Sequence, residues 1–277
     1  MDPGTPLNTL LIACYLISAL GCAAATFGLA LVIRRTTGAS WFFWLLGAGP
    51  VLAVQGITRI PAIFIFQSLP PVQRLLAESS LFFWSYMVVL ALTAGLCEEG
   101  GRWAAWRWII PRGERSWRNA LMLGAGHGGI EAVAVGVLQL LALVNYLALR
   151  NASPEALGTD EATVQAVMGQ FTQLAGWEPL LGLWERCATL LVHVALSVMV
   201  LQAFRRHWSW WFLAVVAHAG LNFGAILLLR SLAGPLGTNT AGVLTEIAIS
   251  ACALAALGLI FALRDPPPVT VEVLEEG

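Results

Sequence analysis

The sequence contains no lysine, so all 15 of its basic side chains are arginine. The absence of lysine excludes a Schiff-base lysine and a general-base lysine. Charged residues make up only 11% of the 277 residues, whereas soluble domains carry about 25%. With so few charged residues and no lysine, the chain also lacks the broad basic surface that binds nucleic acid, so we predict no nucleic-acid partner.

Hydrophobic residues account for 58% of the chain and the mean hydropathy is +0.76, which is typical of a membrane protein. A membrane-spanning helix needs about 20 mostly apolar residues. Seven stretches are long enough, and we predict an all-α, polytopic helix bundle that forms a single integral membrane domain over 1–277. The predicted spans are 7–33, 41–67, 80–109, 119–149, 179–204, 208–230 and 241–263.

The arginines between the spans predict how the bundle lies in the lipid bilayer. Nine of them fall on one side if the spans alternate, and three fall on the other. Because cytoplasmic loops carry the excess of basic residues, we predict that the N-terminus lies outside and the C-terminus lies in the cytoplasm. The acidic, proline-rich segment 265–277 is then a disordered cytoplasmic tail.

Ionisable side chains inside the spans gather at one depth. Counted from the predicted cytoplasmic end of each span, Glu98, His127, His193 and His218 lie roughly eight to eleven residues in, or about 12–17 Å. Buried charge is costly in lipid, so such residues face the bundle interior and usually mark function. The predicted site residues are Glu98, Glu99, Arg102, His127, Glu131, His193, His218 and Asn222.

Residues four apart share one face of a helix. Three such pairs occur in the site: Glu98 with Arg102, His127 with Glu131, and His218 with Asn222. The first pair would let Arg102 bond to a carboxylate of its own helix, while Glu99 points about 100° away from Glu98 and is expected to have a different role. The roles of Glu185, Arg186 and Glu246, which lie outside the layer, stay open.

Glutamate, histidine and asparagine in a water-accessible pocket are suited to hydrolysis. A carboxylate can take a proton from water as a general base, and N–H groups of histidine and asparagine can stabilise an oxyanion. Zinc is the alternative, with His127, His193 and His218 as candidate ligands beside Glu131 or a glutamate of the 98–99 pair. The spacing permits zinc without specifying it, and we expect that no cofactor is required.

The ordered set of motifs resembles a known family. EEGGR at 98–102, GAGHGGIE at 124–131 and HAGLN at 218–222 are similar to motifs of the CPBP superfamily, the CAAX proteases and bacteriocin-processing intramembrane enzymes. With ER…H at 185–193 added, the sequence looks most similar to the YhfC branch of intramembrane metalloproteases. The resemblance covers 98–222 and implies a catalytic helix core over 80–230, built from spans 3–6.

The resemblance also implies roles for individual residues. Glu98 and His127 would activate water, and His218 with Asn222 would form the oxyanion hole, while His193 is an additional histidine that could assist or bind metal. The arginine stands one position earlier than in the EExxxR motif of better-known members, which leaves the partner of Arg102 open. We expect the protein to be located in a prokaryotic cell membrane, which it crosses several times.

Three functions follow from these observations. The first is an intramembrane endopeptidase that cleaves a membrane-associated peptide or protein entering from the cytoplasmic side, with a zinc-dependent protease as its variant. The second is a proton- or ion-coupled transporter, because buried glutamates and histidines also serve as proton relays. Transporters usually contain repeated halves, and the sequence shows none. The third is a non-enzymatic membrane partner in which the polar residues are structural.

Overall fold

The computed structural model describes residues 7–151, 154, 156 and 158–265, and these residues form helices and turns without a β-strand. The α-helices are α1 (Thr9–Thr37), α2 (Trp41–Pro50), α3 (Ile60–Ser68), α4 (Pro70–Glu78), α5 (Ser80–Ala104), α6 (Trp117–Asn151), α7 (Glu161–Gln173), α8 (Pro179–Arg205), α9 (Ser209–Leu236) and α10 (Thr238–Ala262). Two π-helical segments, Val51–Arg59 and Ala105–Ile109, and a 3₁₀ turn, Arg112–Glu114, complete the regular structure.

Seven of the described helical stretches are long and apolar enough to cross a membrane, which confirms the predicted all-α bundle. Helices suit this setting because every backbone hydrogen bond is made within the segment. The spans are Thr9–Thr37, Trp41–Ser68, Ser80–Ile109, Trp117–Asn151, Pro179–Arg205, Ser209–Leu236 and Thr238–Ala262. Their ends differ from the predicted ends by a few residues.

The second span is not a regular α-helix. It contains Pro50 and Pro61, and a proline removes one helix hydrogen bond and crowds the preceding turn, so a kink is expected there. Between the two prolines the chain widens into the π-helical segment Val51–Arg59. Such local widenings occur often at functional sites, and this one faces the polar residues of α5.

Small residues on α6 allow its neighbours to approach closely. A Cβ atom placed on Gly124 would lie 2.5 Å from the Cα atom of Val194 on α8, and one on Gly126 would lie 1.9 Å from the carbonyl oxygen of Trp44 on α2. Both distances are far below van der Waals contact, so only glycine fits at these two positions. As a result, His127 lies in the centre of the bundle and is fully buried.

One end of the bundle carries Arg34, Arg205 and the 110–116 loop, and we call it the arginine-rich end. Asp265 closes it by accepting a 3.0 Å hydrogen bond from the backbone N–H of Trp117 and a bond from Arg205. Burial opposes ionisation of Asp265, but these bonds outweigh burial and hold the pKa of the carboxyl below its usual range. The rest of the predicted tail, 266–277, lies outside the described residues.

Candidate functional site

Seven of the eight predicted site residues meet in one buried cluster, formed where α5, α6, α8 and α9 pack together. We call this set the polar cluster; it consists of Glu98, Glu99, Arg102, His127, Glu131, His193 and His218. All of its members except Glu131 are buried, with at most 7% of any of them exposed. The common depth predicted from four helices therefore corresponds to direct contact in the structure.

Glu98 lies at the centre of the polar cluster. Its Oε2 atom is 2.9 Å from Nε2 of His127 and 3.4 Å from Nε2 of His218. Its Oε1 atom accepts a hydrogen bond from the side-chain amide of Gln55. One carboxylate is thus held between two imidazoles, with its second oxygen bonded by a neutral donor.

Arg102 does not pair with Glu98, although the four-residue spacing would allow that pair. It bonds instead to the fully buried Glu99, three residues before it, and Glu99 also accepts a 2.7 Å bond from Nδ1 of His218. Both glutamates lie within one helical turn of the arginine. The oxygens of Glu98 are already taken by His127, His218 and Gln55, which leaves Glu99 to Arg102.

The bonding partners define where the protons of two histidines lie. Arg102 donates from Nη2 to Nδ1 of His193 at 2.7 Å, and guanidinium nitrogens can only donate. Nδ1 of His193 is therefore unprotonated, and Nε2 carries the proton that faces Oε2 of Glu131 at 3.0 Å. In His218 the arrangement is reversed, because Nδ1 donates to the Glu99 carboxylate.

Glu131 connects the polar cluster to an ion pair on α8. Its oxygens lie 3.4 Å from Nε2 of His127 and 3.5 Å from Nη1 of Arg186. Arg186 also bonds to its neighbour Glu185. Arg186 therefore contacts both Glu131 and Glu185. The role of Arg186, which the sequence leaves open, is to neutralise part of the negative charge of the site.

Two polar residues of the site escaped the sequence analysis. Gln55 and Arg59 lie on the π-helical segment of the second span; Gln55 bonds to Glu98, and Arg59 donates to Oε1 of Gln55 at 3.0 Å. A signal was present in the sequence, since the two residues are four apart within an otherwise apolar stretch. They also lie outside 80–230, so the cluster draws on helices beyond the predicted catalytic core.

A group of four residues in the described part of the chain could hold a metal ion. Glu98, His127, Glu131 and His193 each offer a ligand atom, and these atoms lie within 4.8 Å of one another. Carboxylates and imidazoles are ordinary zinc ligands. His218, which the sequence offered as a third histidine ligand, lies outside this group and contacts the two glutamates of α5.

The donor set fits a metal at three of its four positions. A ligating imidazole nitrogen must be unprotonated, whereas Nε2 of His193 carries a proton as long as Arg102 donates to Nδ1. Glu98, Glu131 and His127 have no such obstacle. A metal held by all four residues would therefore require Arg102 to release His193.

A cavity of about 430 Å³ reaches the polar cluster and is lined by Glu98 and Asn222. Its other walls come from the half of the bundle away from the arginine-rich end, and they include Arg59, Glu185 and Glu246. A smaller cavity of about 110 Å³ continues between Glu98, His193 and His218. Asn222 has no bond to the polar cluster among the described contacts, but it lines both cavities.

The two cavities beside Glu98 extend away from the arginine-rich end. From the sequence we expect substrate to enter from the cytoplasmic side, where the arginine-rich end is expected. In the structure that end is filled by fully buried apolar side chains, among them Trp106, Leu123 and Leu201. The open space beside Glu98 lies toward the turn between α9 and α10.

Comparisons with known proteins identify the family of the chain. Residues 22–238 match the model of a family described as YhfC intramembrane metalloprotease, a range that includes the whole polar cluster. The chain is also 28% identical over 211 residues to the "Uncharacterized membrane protein YhfC" of Bacillus subtilis (strain 168), covering 74% of this chain and 80% of that protein. No solved structure matches the chain. Because the family model matches well over half of the chain, this protein belongs to the YhfC intramembrane metalloprotease family.

Proposed function

We propose that the protein is an intramembrane endopeptidase that hydrolyses a membrane-associated peptide or protein. The observation that carries the proposal is the environment of Glu98. This buried carboxylate is held by His127 and His218 and also lines a cavity of about 430 Å³. A base beside a space that can hold water and a peptide is what hydrolysis requires. The description of the family supports the same class of reaction.

In the proposed mechanism, Glu98 takes a proton from the attacking water while His127 holds its Oε2 atom in place. Glu98 then gives that proton to the substrate nitrogen as the C–N bond breaks, which releases the amine product. The carbonyl oxygen of the substrate gains negative charge as water attacks, and nearby N–H donors stabilise that charge. Asn222 lines the same cavity and supplies one donor. His218, oriented by its bond to Glu99, supplies Nε2 as a second donor when that nitrogen is protonated.

His193, Glu131 and Arg102 complete the machinery without touching the substrate. The bond from Arg102 fixes the ring of His193, which in turn lies against Glu131. Glu131 approaches His127 at 3.4 Å and so supports the histidine that holds Glu98. In this proposal all three are positioning residues.

The family description names a metal, and Glu98, His127, Glu131 and His193 are the residues that would hold one. A bound zinc ion would polarise the carbonyl of the substrate and lower the pKa of its water. We nevertheless propose that metal is not required, because Arg102 occupies Nδ1 of His193. Asn222, moreover, is a better oxyanion donor than zinc ligand.

We further propose a multi-pass location in a prokaryotic cell membrane, with the N-terminus outside and the arginine-rich end in the cytoplasm. Substrate then reaches Glu98 from the outer half of the membrane, because the cavities lie on that side. The proposed catalytic core is 80–230 together with the second span, Trp41–Ser68, which contributes Gln55.

The test uses purified protein in detergent and a mixed library of apolar peptides, with products identified by mass spectrometry. We expect cleavage at internal bonds that persists after treatment with a metal chelator. Activity that is lost with about one zinc per chain and restored with zinc would replace the metal-free mechanism by the zinc-dependent one. A complete absence of cleavage would favour the transporter instead.

A further inference from the structure

Two polar side chains outside the predicted core approach Glu98 from the second span. Gln55 is buried, at 8% exposure, on the π-helical segment Val51–Arg59. Its amide nitrogen donates to Oε1 of Glu98, on the side opposite the two histidines. The contact joins residues 43 positions apart in the chain.

Arg59 determines which way the amide of Gln55 faces. Its Nη1 atom donates to Oε1 of Gln55 at 3.0 Å, and a guanidinium can only donate. The amide oxygen therefore faces Arg59 and the NH₂ group faces Glu98. The flipped amide would place its NH₂ group against the guanidinium and its oxygen against the carboxylate, which are two unfavourable contacts.

Arg59 is itself fixed to the helix that carries Glu98. Its Nη2 atom donates to the carbonyl oxygen of Leu90 at 2.6 Å, and its Nε atom lies 3.4 Å from Oγ1 of Thr93. Both acceptors belong to α5. The contacts thus form a closed path from α5 through Arg59 and Gln55 back to Glu98, which couples the π-helical segment to the carboxylate.

We propose that Gln55 and Arg59 are positioning residues that fix the orientation of the Glu98 carboxylate, an inference that rests on the proposed role of Glu98 as the base. With Oε1 bonded by Gln55, Oε2 is the oxygen that faces His127 and His218. Without Gln55, the carboxylate can rotate away from both imidazoles. Supporting residues of this kind typically contribute about 10–100-fold to activity.

The test compares Gln55→Ala, Arg59→Met and the double variant, using a peptide that the wild type cleaves. The control is Thr58→Ala on the same segment, where the exposed hydroxyl bonds to the backbone of its own helix. We expect Gln55→Ala to lower kcat about 10–100-fold with little change in KM or in the unfolding midpoint. Thr58→Ala should behave as the wild type.

The double variant separates a connected pair from two independent contacts. If Arg59 acts through Gln55, Arg59→Met lowers kcat on its own, and adding it to Gln55→Ala causes no further loss. The inference would be overturned if the losses of kcat in the two single variants multiply in the double variant, or if Gln55→Ala has the wild-type kcat. It would also be overturned if the loss of kcat matches the fraction of protein that is unfolded. If Gln55→Ala does not fold, Arg59→Met alone tests the inference. That variant keeps Gln55 but removes the bond that fixes the orientation of its side-chain amide.

Glu98→Gln in the same assay keeps the inference and the proposed function apart. An inactive Glu98→Gln beside a fully active Gln55→Ala would reject only the positioning role. A fully active Glu98→Gln would reject the proposed role of Glu98 itself, and the positioning role with it.

Discussion

Arg102 donates a 2.7 Å hydrogen bond to Nδ1 of His193, and through its other terminal nitrogen it bonds to Glu99. One guanidinium therefore joins α5 to α8 and fixes the protonated nitrogen of a histidine inside the membrane. The flat, forked shape of arginine allows both bonds at once, which a lysine ammonium cannot reproduce.

Arg102→Lys is accordingly expected to be a damaging substitution although it conserves charge. Losing one partner of a buried ion pair typically costs about 3–5 kcal/mol, and here Glu99 and His193 would both be affected. We expect a lower unfolding midpoint in detergent and a loss of activity of about 100-fold or more. Arg112→Lys, at an exposed position, is the control. If Arg102→Lys had wild-type stability and activity, the two simultaneous bonds of Arg102 to Glu99 and His193 would be unimportant.

His193→Gln distinguishes a positioning histidine from a metal ligand. The amide oxygen of glutamine can accept from Arg102, and its NH₂ group can donate to Glu131, so both bonds of His193 can be replaced. We expect activity within about tenfold of the wild type. Simultaneous loss of activity and of bound zinc, measured by metal analysis of the purified variant, would instead identify His193 as a ligand.

The direction of the cavities predicts which face of the bundle admits water. In a protein whose native cysteines are replaced, Asn222→Cys should react with a small membrane-impermeant thiol reagent added from the side of the α9–α10 turn. Val198→Cys, at a fully buried position on α8, should not react. Reaction of Asn222→Cys only from the arginine-rich end would restore the entry side expected from the sequence.

The bonds of Asp265 predict that the stability of the folded protein depends on pH. Its pKa is held below the usual range by the bonds from Arg205 and Trp117, so its stabilisation is complete above about pH 4. The stabilisation is lost as the pH falls through the lowered native value. Because both side chains of the pair are about one-third exposed, we expect Asp265→Asn to cost at most about 1 kcal/mol at pH 7.

The unfolding midpoints of Asp265→Asn and the wild type should therefore differ at pH 7 and converge near the acid limit. Glu114→Gln, which removes an exposed carboxylate at the same end, is the control. A difference that grows as the pH falls would contradict the assigned role.

The sequence predicts the spans and the common depth of the polar residues well, because both depend on hydrophobic length and on counting along each helix. It does not predict the partner of Arg102, since that choice depends on which carboxylate the neighbouring helices already occupy. The contact between Gln55 and Glu98 depends on the rotation of the second span, which an irregular helix between two prolines obscures. The direction of the cavities depends on side-chain packing at the two ends of the bundle.

The identification of Glu98 as the base has one direct test. Glu98→Gln keeps the size of the side chain and removes its ability to take a proton, so turnover of a peptide cleaved by the wild type should fall by at least about 100-fold. Its unfolding midpoint should show that the variant stays folded. The expected result is the same whether or not a metal assists, because both mechanisms use this carboxylate. A folded Glu98→Gln variant that cleaves the peptide at the wild-type rate would contradict the account.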